Sequence, residues 1–188
     1  DPFCGSGTLP IEAAMIAANI APGMNRPFLA ETWTNLIPRK LWYESVNEAN
    51  DLIEDHIEVD IQGYDADGTV IKKARDNARR AGVDHMIHFQ QRPVQELSHS
   101  KKGGCIVTNP PYGERLKEED LFGLYQELGE RFQMLEDWSA YVITPFESIE
   151  KAMGRKADKN RKIYNGMLKT YFYQFLAPQS EKEVMEKE

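Results

Sequence analysis

The chain has few cysteines and no long uninterrupted apolar run. Two cysteines, Cys4 and Cys105, occur in 188 residues, which is too few for a disulfide framework, and neither stands at metal-ligand spacing from another Cys or His. The sequence therefore predicts no metal site and a reducing, cytoplasmic setting. The most apolar stretch, 9–21, is interrupted by Glu12 and is shorter than the roughly 20 residues that cross a bilayer. No membrane span is expected.

Positive charge is also scarce. The chain carries 30 acidic against 23 basic residues, a formal net charge of −7, and phosphate binding depends on clustered Lys and Arg. A domain that holds nucleic acid by overall charge alone is thereby excluded, so any nucleic-acid role needs local basic patches. Hydrophobic residues make up 41% of the chain, which is enough for the core of one globular domain.

The start of the chain also lacks an initiator Met and a strand ahead of its glycine loop. Because such a loop normally follows a strand, we expect a fragment of a larger protein from which the strand leading into Asp1 is missing. Residues 1–177 are predicted to form one domain, with a helical insertion at about 22–56. Residues 178–188 are predicted to form a polar tail.

The order of the predicted elements is that of an α/β domain. Residues 9–21 predict a helix packed on a sheet, and a strand ending at Asp65 precedes a helix over 67–81 that Gly82 closes. Further strands are expected near 86–90, 105–108 and 140–144, with a helix over 121–135. Asn165-Gly166, between apolar stretches, indicates a closing antiparallel hairpin. The predicted sheet is mostly parallel and ends in this hairpin.

The first eight residues, Asp-Pro-Phe-Cys-Gly-Ser-Gly-Thr, form a glycine loop ahead of the first helix. Gly5 and Gly7 place backbone amides at the head of that helix, where a polar ligand can approach the main chain. A dinucleotide fingerprint would need glycine where Pro10 stands, and a phosphate-binding Walker loop would need lysine after Gly7. The loop therefore disfavours both nicotinamide dinucleotides and nucleoside triphosphates.

A carboxylate follows the next strand. Asp65 can accept hydrogen bonds from both hydroxyls of a ribose, which would orient an adenosine moiety at the strand ends where open α/β sheets bind ligands. The alternative interpretation is that Asp65 caps the helix that follows, where Asp67 also lies.

The tetrapeptide Asn109-Pro110-Pro111-Tyr112 follows a buried strand. An exocyclic amine is a poor nucleophile because its lone pair is delocalised. The Asn109 side-chain carbonyl and the Pro110 main-chain carbonyl could accept both N–H bonds and stabilise the developing charge, while Tyr112 stacks on the ring. Pro111 would stiffen the turn. The alternative is a rigid loop with a half-buried tyrosine.

Together, the loop at 1–8, Asp65 and the tetrapeptide resemble the class I S-adenosylmethionine-dependent amino-methyltransferases. The longer strings 1–14 and 109–115 are similar to the THUMP-bearing RNA methyltransferases related to the bacterial large-subunit rRNA guanine-N2 methyltransferase, whose members are often named N6-adenine-specific DNA methylases. This resemblance implies a Rossmann-like sheet, S-adenosylmethionine as cofactor and an RNA-binding region missing from the N-terminal side. It also implies a cofactor site made by Asp1, Phe3, Gly5, Ser6, Gly7 and Asp65, and a catalytic site made by Asn109, Pro110, Pro111 and Tyr112.

The function that the resemblance implies is methyl transfer to an exocyclic amine of a nucleobase, guanine N2 in 23S rRNA. Two alternatives stay open: the same chemistry on adenine N6 or a protein glutamine, and a non-catalytic RNA-binding module. One departure from the family concerns the cofactor adenine, because Arg92-Pro93-Val94 stands where relatives usually place an acid. Adenine would then depend on main-chain contacts or on Gln95 or Glu96.

A local basic cluster precedes the hairpin. It comprises Arg155, Lys156, Lys159, Arg161 and Lys162, with Asp158 as the only acid among them. These side chains could hold RNA phosphates. The alternative is a solvated run of charges.

Overall fold

A computed structural model describes residues 1–111 and 118–178 of the chain. Its helices are α1 (Thr8–Ala17), α2 (Arg39–Asp51), α3 (Gly68–Ala81), α4 (Glu118–Gln133) and α5 (Ile149–Ala152). Its strands are β1 (Ile61–Asp65), β2 (Ile87–Gln91), β3 (Cys105–Thr108), β4 (Ser139–Thr144), β5 (Lys159–Asn165) and β6 (Leu168–Phe175). Short 3₁₀ turns lie at Leu29–Thr32, Asp84–Met86 and Val94–Glu96. None of the described helices is both long and apolar enough to cross a membrane.

The strands confirm the α/β prediction but form two hydrogen-bonded sheets. One pairs β1 with β2 in parallel, and the other has the order β3-β4-β6-β5. In the second sheet β3 and β4 are parallel, whereas β6 runs antiparallel to both β4 and β5. The described pairings are thus two parallel and two antiparallel, a smaller parallel share than predicted, because β1 and β3 do not pair with each other.

Asp1 lies between the two sheets. Its backbone nitrogen donates to the Gln62 carbonyl at 2.8 Å, and its carbonyl accepts from the Tyr64 N–H at 2.8 Å, so it runs beside β1. Its carboxylate accepts a hydrogen bond from the hydroxyl of Thr108, the last residue of β3. The first residue therefore links the ends of β1 and β3.

Two apolar clusters form the core. The first lies between α1, α3 and the β1-β2 sheet, where Ala14 and Ala74 are fully buried beside Phe89. The second packs α4 and α5 on the larger sheet, with Tyr125 and Phe175 fully buried at its centre. Helices thus pack on both sheets, as in an α/β domain.

Two element ends differ from the sequence prediction. Helix α1 stops at Ala17 instead of residue 21 because Asn19 adopts φ +52°, and the Ile20 N–H bonds back to the Met15 carbonyl at 2.8 Å. This is a Schellman ending with Asn in place of the usual Gly. In the hairpin, Asn165 pairs with Leu168, so the two turn residues are Gly166 (φ +61°) and Met167. The turn lies one residue later than predicted because Gly166 occupies its first central position.

The segment 22–56 contains one 3₁₀ turn and α2, which ends at Asp51 and not near residue 56. No residue of α2 is buried. Phe28 and Trp42 make an aromatic contact at 5.6 Å between ring centroids within the segment. Of the predicted tail, only Pro178 belongs to the described part of the chain, and residues 179–188 lie outside it.

Candidate active site

Three of the predicted site segments meet at one edge of the fold. Asp65 is the last residue of β1, Asn109 follows the last residue of β3, and the glycine loop begins between them at Asp1. The carboxyl ends of parallel strands form this edge, which is where open α/β sheets bind ligands. Tyr112 and residues 113–115, which complete the longer motif, lie outside the described residues.

Asp65 holds the glycine loop against the end of β1. Its Oδ2 accepts the Gly5 N–H at 3.0 Å, and its Oδ1 accepts the Asp67 N–H at 3.0 Å. The helix cap is a different residue: Asp67 accepts the Thr69 N–H at 2.7 Å at the start of α3. Hydrogen bonding with the Thr69 side chain, and then with its N–H, lowers the pKa of Asp67. The interpretation of Asp65 as the cap of that helix is therefore wrong.

The Asp1 side chain shapes the loop from its other end. Its Oδ1 accepts the Phe3 N–H at 3.0 Å and the Thr108 hydroxyl. Sequence reasoning missed Thr108, which is only 1% exposed, and its hydroxyl finds the partner that a buried polar group requires. Because Asn109 follows directly, this bond couples the tetrapeptide to the glycine loop.

The two loop glycines are required for different reasons. Both have positive φ, +52° at Gly5 and +88° at Gly7, which L-residues with a side chain seldom adopt. A Cβ on Gly7 would lie 2.9 Å from Phe89 Cζ and 3.0 Å from Ala74 Cβ, whereas a Cβ on Gly5 would meet nothing within 4 Å. Gly7 thus allows α1 to pack on the core, whereas Gly5 faces open space.

The glycine pair yields a matched prediction. We expect Gly7→Ala to destabilise the fold by about 1–3 kcal/mol through backbone strain and the clash with Phe89. Gly5→Ala carries a comparable positive-φ strain but no clash, so its melting temperature should fall less. Its methyl group would occupy the open space beside the loop and weaken ligand binding there. Thermal unfolding and calorimetric titration of both variants measure the two effects. Equal destabilisation by the two substitutions would contradict this assignment.

Cys4 lies in the loop but is not a nucleophile. It is buried, and burial together with the nearby Asp65 carboxylate raises the pKa of its thiol to about 12. The thiolate needed for covalent attack is therefore absent at neutral pH. Among the described residues, no group of three or more His, Cys, Asp and Glu side chains is arranged to hold a metal ion.

The first three residues of the tetrapeptide follow β3 directly and have no regular secondary structure. Pro110 is fully buried, Pro111 is half-buried and Asn109 is exposed. Proline cannot donate to a ladder, so the strand ends here, and the buried Pro110 ring fixes the chain where it leaves β3. The Asn109 amide is left at the surface of the strand-end edge, one residue beyond the contact with Asp1.

Arg92 follows β2, at the position where the resemblance leads us to expect an acid. Its N–H donates to the Asp65 carbonyl at 2.8 Å, and its guanidinium lies 5.2 Å from the Tyr64 ring centroid and bonds Ser98 Oγ at 2.8 Å. Arg92 is therefore engaged in the fold. The side chains of Gln95 and Glu96 are exposed on the 3₁₀ turn that follows.

The basic cluster does not form a single patch. Arg155 bonds Asp158 and the Leu176 carbonyl, both at 2.8 Å, and so joins two segments of the fold. Lys156, Lys159, Arg161 and Lys162 are exposed. On β5, successive side chains point to opposite faces, so Arg161 and Lys162 lie on opposite faces of the hairpin.

This chain is similar in sequence and in structure to known proteins. The structure of SMU.472, a proposed methyltransferase complexed with SAH, is 43% identical with a TM-score of 0.91, over 96% of this chain and 48% of that one. The proposed RNA methyltransferase YpsC of Bacillus subtilis (strain 168) is 43% identical over 176 residues, 93% of this chain and 46% of YpsC. The ribosomal RNA large subunit methyltransferase K/L of Legionella pneumophila (strain Corby) is 42% identical over 175 residues, 92% of this chain and 25% of that protein.

The fold is that of a Rossmann-like class I methyltransferase. Residues 1–174 match the model of the family described as the RMKL-like methyltransferase domain, and the chain belongs to that family. The chain spans less than half the length of the two curated relatives named above.

Proposed function

We propose that this domain transfers a methyl group from S-adenosylmethionine to an exocyclic amine of a nucleobase, guanine N2 in 23S rRNA. The observation that carries the proposal is the coupling of Asn109-Pro110-Pro111 to the glycine loop through the Thr108 hydroxyl and the Asp1 carboxylate. A 43% identical structure complexed with SAH supports the cofactor, and the relative named a ribosomal RNA methyltransferase supports the substrate. The resemblance to THUMP-bearing enzymes supports a further RNA-binding region on the N-terminal side.

The loop and Asp65 fit the cofactor. The open space at Gly5 allows a ligand to contact the main chain of the loop. Each Asp65 oxygen accepts one backbone N–H and keeps further acceptor capacity for a ribose hydroxyl. We assign the methionine end to Asp1, Phe3, Gly5, Ser6 and Gly7, and the ribose to Asp65. When bound, S-adenosylmethionine supplies an electrophilic methyl group.

The chain's own contribution to catalysis is alignment and charge stabilisation. The side-chain carbonyl of Asn109 and the main-chain carbonyl of Pro110 accept hydrogen bonds from the two N–H groups of the target amine and stabilise the positive charge that develops on its nitrogen. As the N–C bond to the methyl group forms, the S–C bond breaks, SAH leaves and the nitrogen then loses one proton. Pro110 and Pro111 hold these acceptors rigidly, and Tyr112 is assigned to stack on the base. The target base has to leave its stack to reach this turn.

Calorimetric titration of the full-length protein with S-adenosylmethionine and SAH tests the cofactor assignment. We expect saturable 1:1 binding of both compounds and no heat with NAD or ATP, because the loop lacks the residues that hold their phosphates. Absence of binding to both would favour the alternative of a non-catalytic RNA-binding module.

A further inference from the structure

The β5-β6 hairpin extends beyond the rest of its sheet. The last residue of β4, Thr144, pairs with Tyr171, whereas the β5-β6 ladder continues through three more pairs to Asn165 and Leu168. At about 3.4 Å per residue, the hairpin overhangs β4 by roughly 10 Å. Strand β4 is parallel to β3, so this overhang lies at the edge where Asn109 emerges.

One face of the hairpin alternates lysine and tyrosine, from the pair level with the end of β4 into the overhang. Lys162 pairs with Tyr171, and Tyr164 pairs with Lys169, so the four side chains share a face; we call them the Lys-Tyr quartet. The Lys162 ammonium lies 5.2 Å from the Tyr164 ring centroid, and the Lys169 ammonium lies 5.0 Å from that of Tyr171. Lysine and tyrosine thus alternate both along each strand and across the pair, at the active-site edge.

The hairpin differs in charge from the rest of the chain. No acidic residue occurs between 159 and 175, where four basic residues lie, although the chain as a whole has a net charge of −7. Lys169 forms an ion pair with Glu147, whose Oε1 lies 3.6 Å from Lys169 Nζ. Met167 at the turn is fully exposed and Tyr164 is 62% exposed. The overhang is therefore basic and aromatic, complementary to a polyanion with unstacked bases.

We propose that this end of the hairpin binds single-stranded nucleic acid next to the target nucleotide, with Tyr164 stacking on a base and Lys162 and Lys169 contacting phosphates. This inference rests on the proposed function and deepens it by assigning a substrate-binding surface. Aromatic rings between basic side chains are the arrangement with which proteins bind unpaired strands. When the target base leaves its stack, the adjacent nucleotides are unpaired or distorted. A surface at the same edge as Asn109 can bind those nucleotides.

Fluorescence anisotropy with a fluorescein-labelled single-stranded oligoribonucleotide tests the surface in the full-length protein. We expect Tyr164→Ala to weaken binding by at least about 5-fold, the loss of one base stack, and Tyr164→Phe to bind like the wild type. Lys162→Ala should lower the slope of log affinity against log salt by about 0.7, the loss of one phosphate contact on a single strand. In turnover assays, KM for RNA should rise while kcat is retained.

Two control variants match these changes in chemistry and exposure. Tyr43→Ala removes a tyrosine on α2 that is 63% exposed, and Lys72→Ala removes an exposed lysine on α3. Both controls should bind the oligonucleotide like the wild type. All variants should bind S-adenosylmethionine equally, which separates loss of RNA contact from loss of the cofactor site.

The outcomes separate this inference from the proposed function. If the protein methylates RNA but the hairpin variants bind like the controls, the inference is wrong and the function stands. If oligonucleotide binding depends on Tyr164 and Lys162 but no RNA is methylated, the function is wrong and the surface stands. The inference is overturned if the wild type does not bind the oligonucleotide. It is also overturned if the hairpin variants change their sedimentation coefficient, because the hairpin would then contact a second copy of the chain.

Discussion

Asn109→Ala is expected to lower kcat by about 10²–10³-fold, the effect of removing one preorganised group that stabilises transition-state charge. Affinity for S-adenosylmethionine should be unchanged, since Asn109 is exposed and lies one residue beyond the contact that links Thr108 to Asp1. Single-turnover methyl transfer and calorimetric titration measure the two quantities separately.

A control for this variant is Asn47→Ala, which removes an exposed asparagine of α2 far along the chain from the site. It should leave both quantities at wild-type values. Loss of cofactor binding by Asn109→Ala would place Asn109 in the cofactor site. Unchanged turnover would show that Asn109 is not required for catalysis.

Asp65→Ala is expected to have the opposite profile, a large loss of cofactor affinity. The substitution removes the acceptor of the Gly5 and Asp67 N–H groups as well as the proposed ribose contact. Hydrogen bonds to charged groups contribute roughly 1.5–3 kcal/mol each, so loss of one ribose bond alone predicts at least about 10-fold weaker binding. Calorimetric titration with SAH checks this value.

Asp67→Ala provides the control, because this carboxylate lies two residues away and caps α3. It should lower the melting temperature and leave SAH affinity unchanged. An Asp65→Ala protein that binds SAH with wild-type affinity would count against the ribose assignment, and equal losses in both variants would show that the affinity depends only on the start of α3.

Local chemistry explains why much of the fold could be predicted. Gly82 closes α3 in the left-handed conformation, at φ +77°, as its position after a helical pattern indicates. The end of β3 follows from two consecutive prolines. Asp65 and Asn109 could be placed at one edge because both follow strands of an α/β pattern.

The remaining features depend on contacts that are distant in sequence. The bond between Thr108 and Asp1 joins residues 107 positions apart, and no local pattern indicates which residues will meet over that distance. Arg155 looked like part of a basic patch, but its partner, the Leu176 carbonyl, lies 21 residues away. The alternation of β5 likewise separates Arg161 from Lys162, which a count of charges along the chain does not show.

Identification of the methylated nucleoside tests the central claim most directly. The full-length protein is incubated with S-adenosylmethionine labelled in its methyl group and with unmodified ribosomal RNA, and the digested RNA is separated by chromatography and mass spectrometry. The account predicts label in N2-methylguanosine, absent with the Asn109→Ala protein. Label in N6-methyladenosine would keep the mechanism and contradict the target, whereas no label in RNA from a protein that binds S-adenosylmethionine would contradict RNA as the substrate.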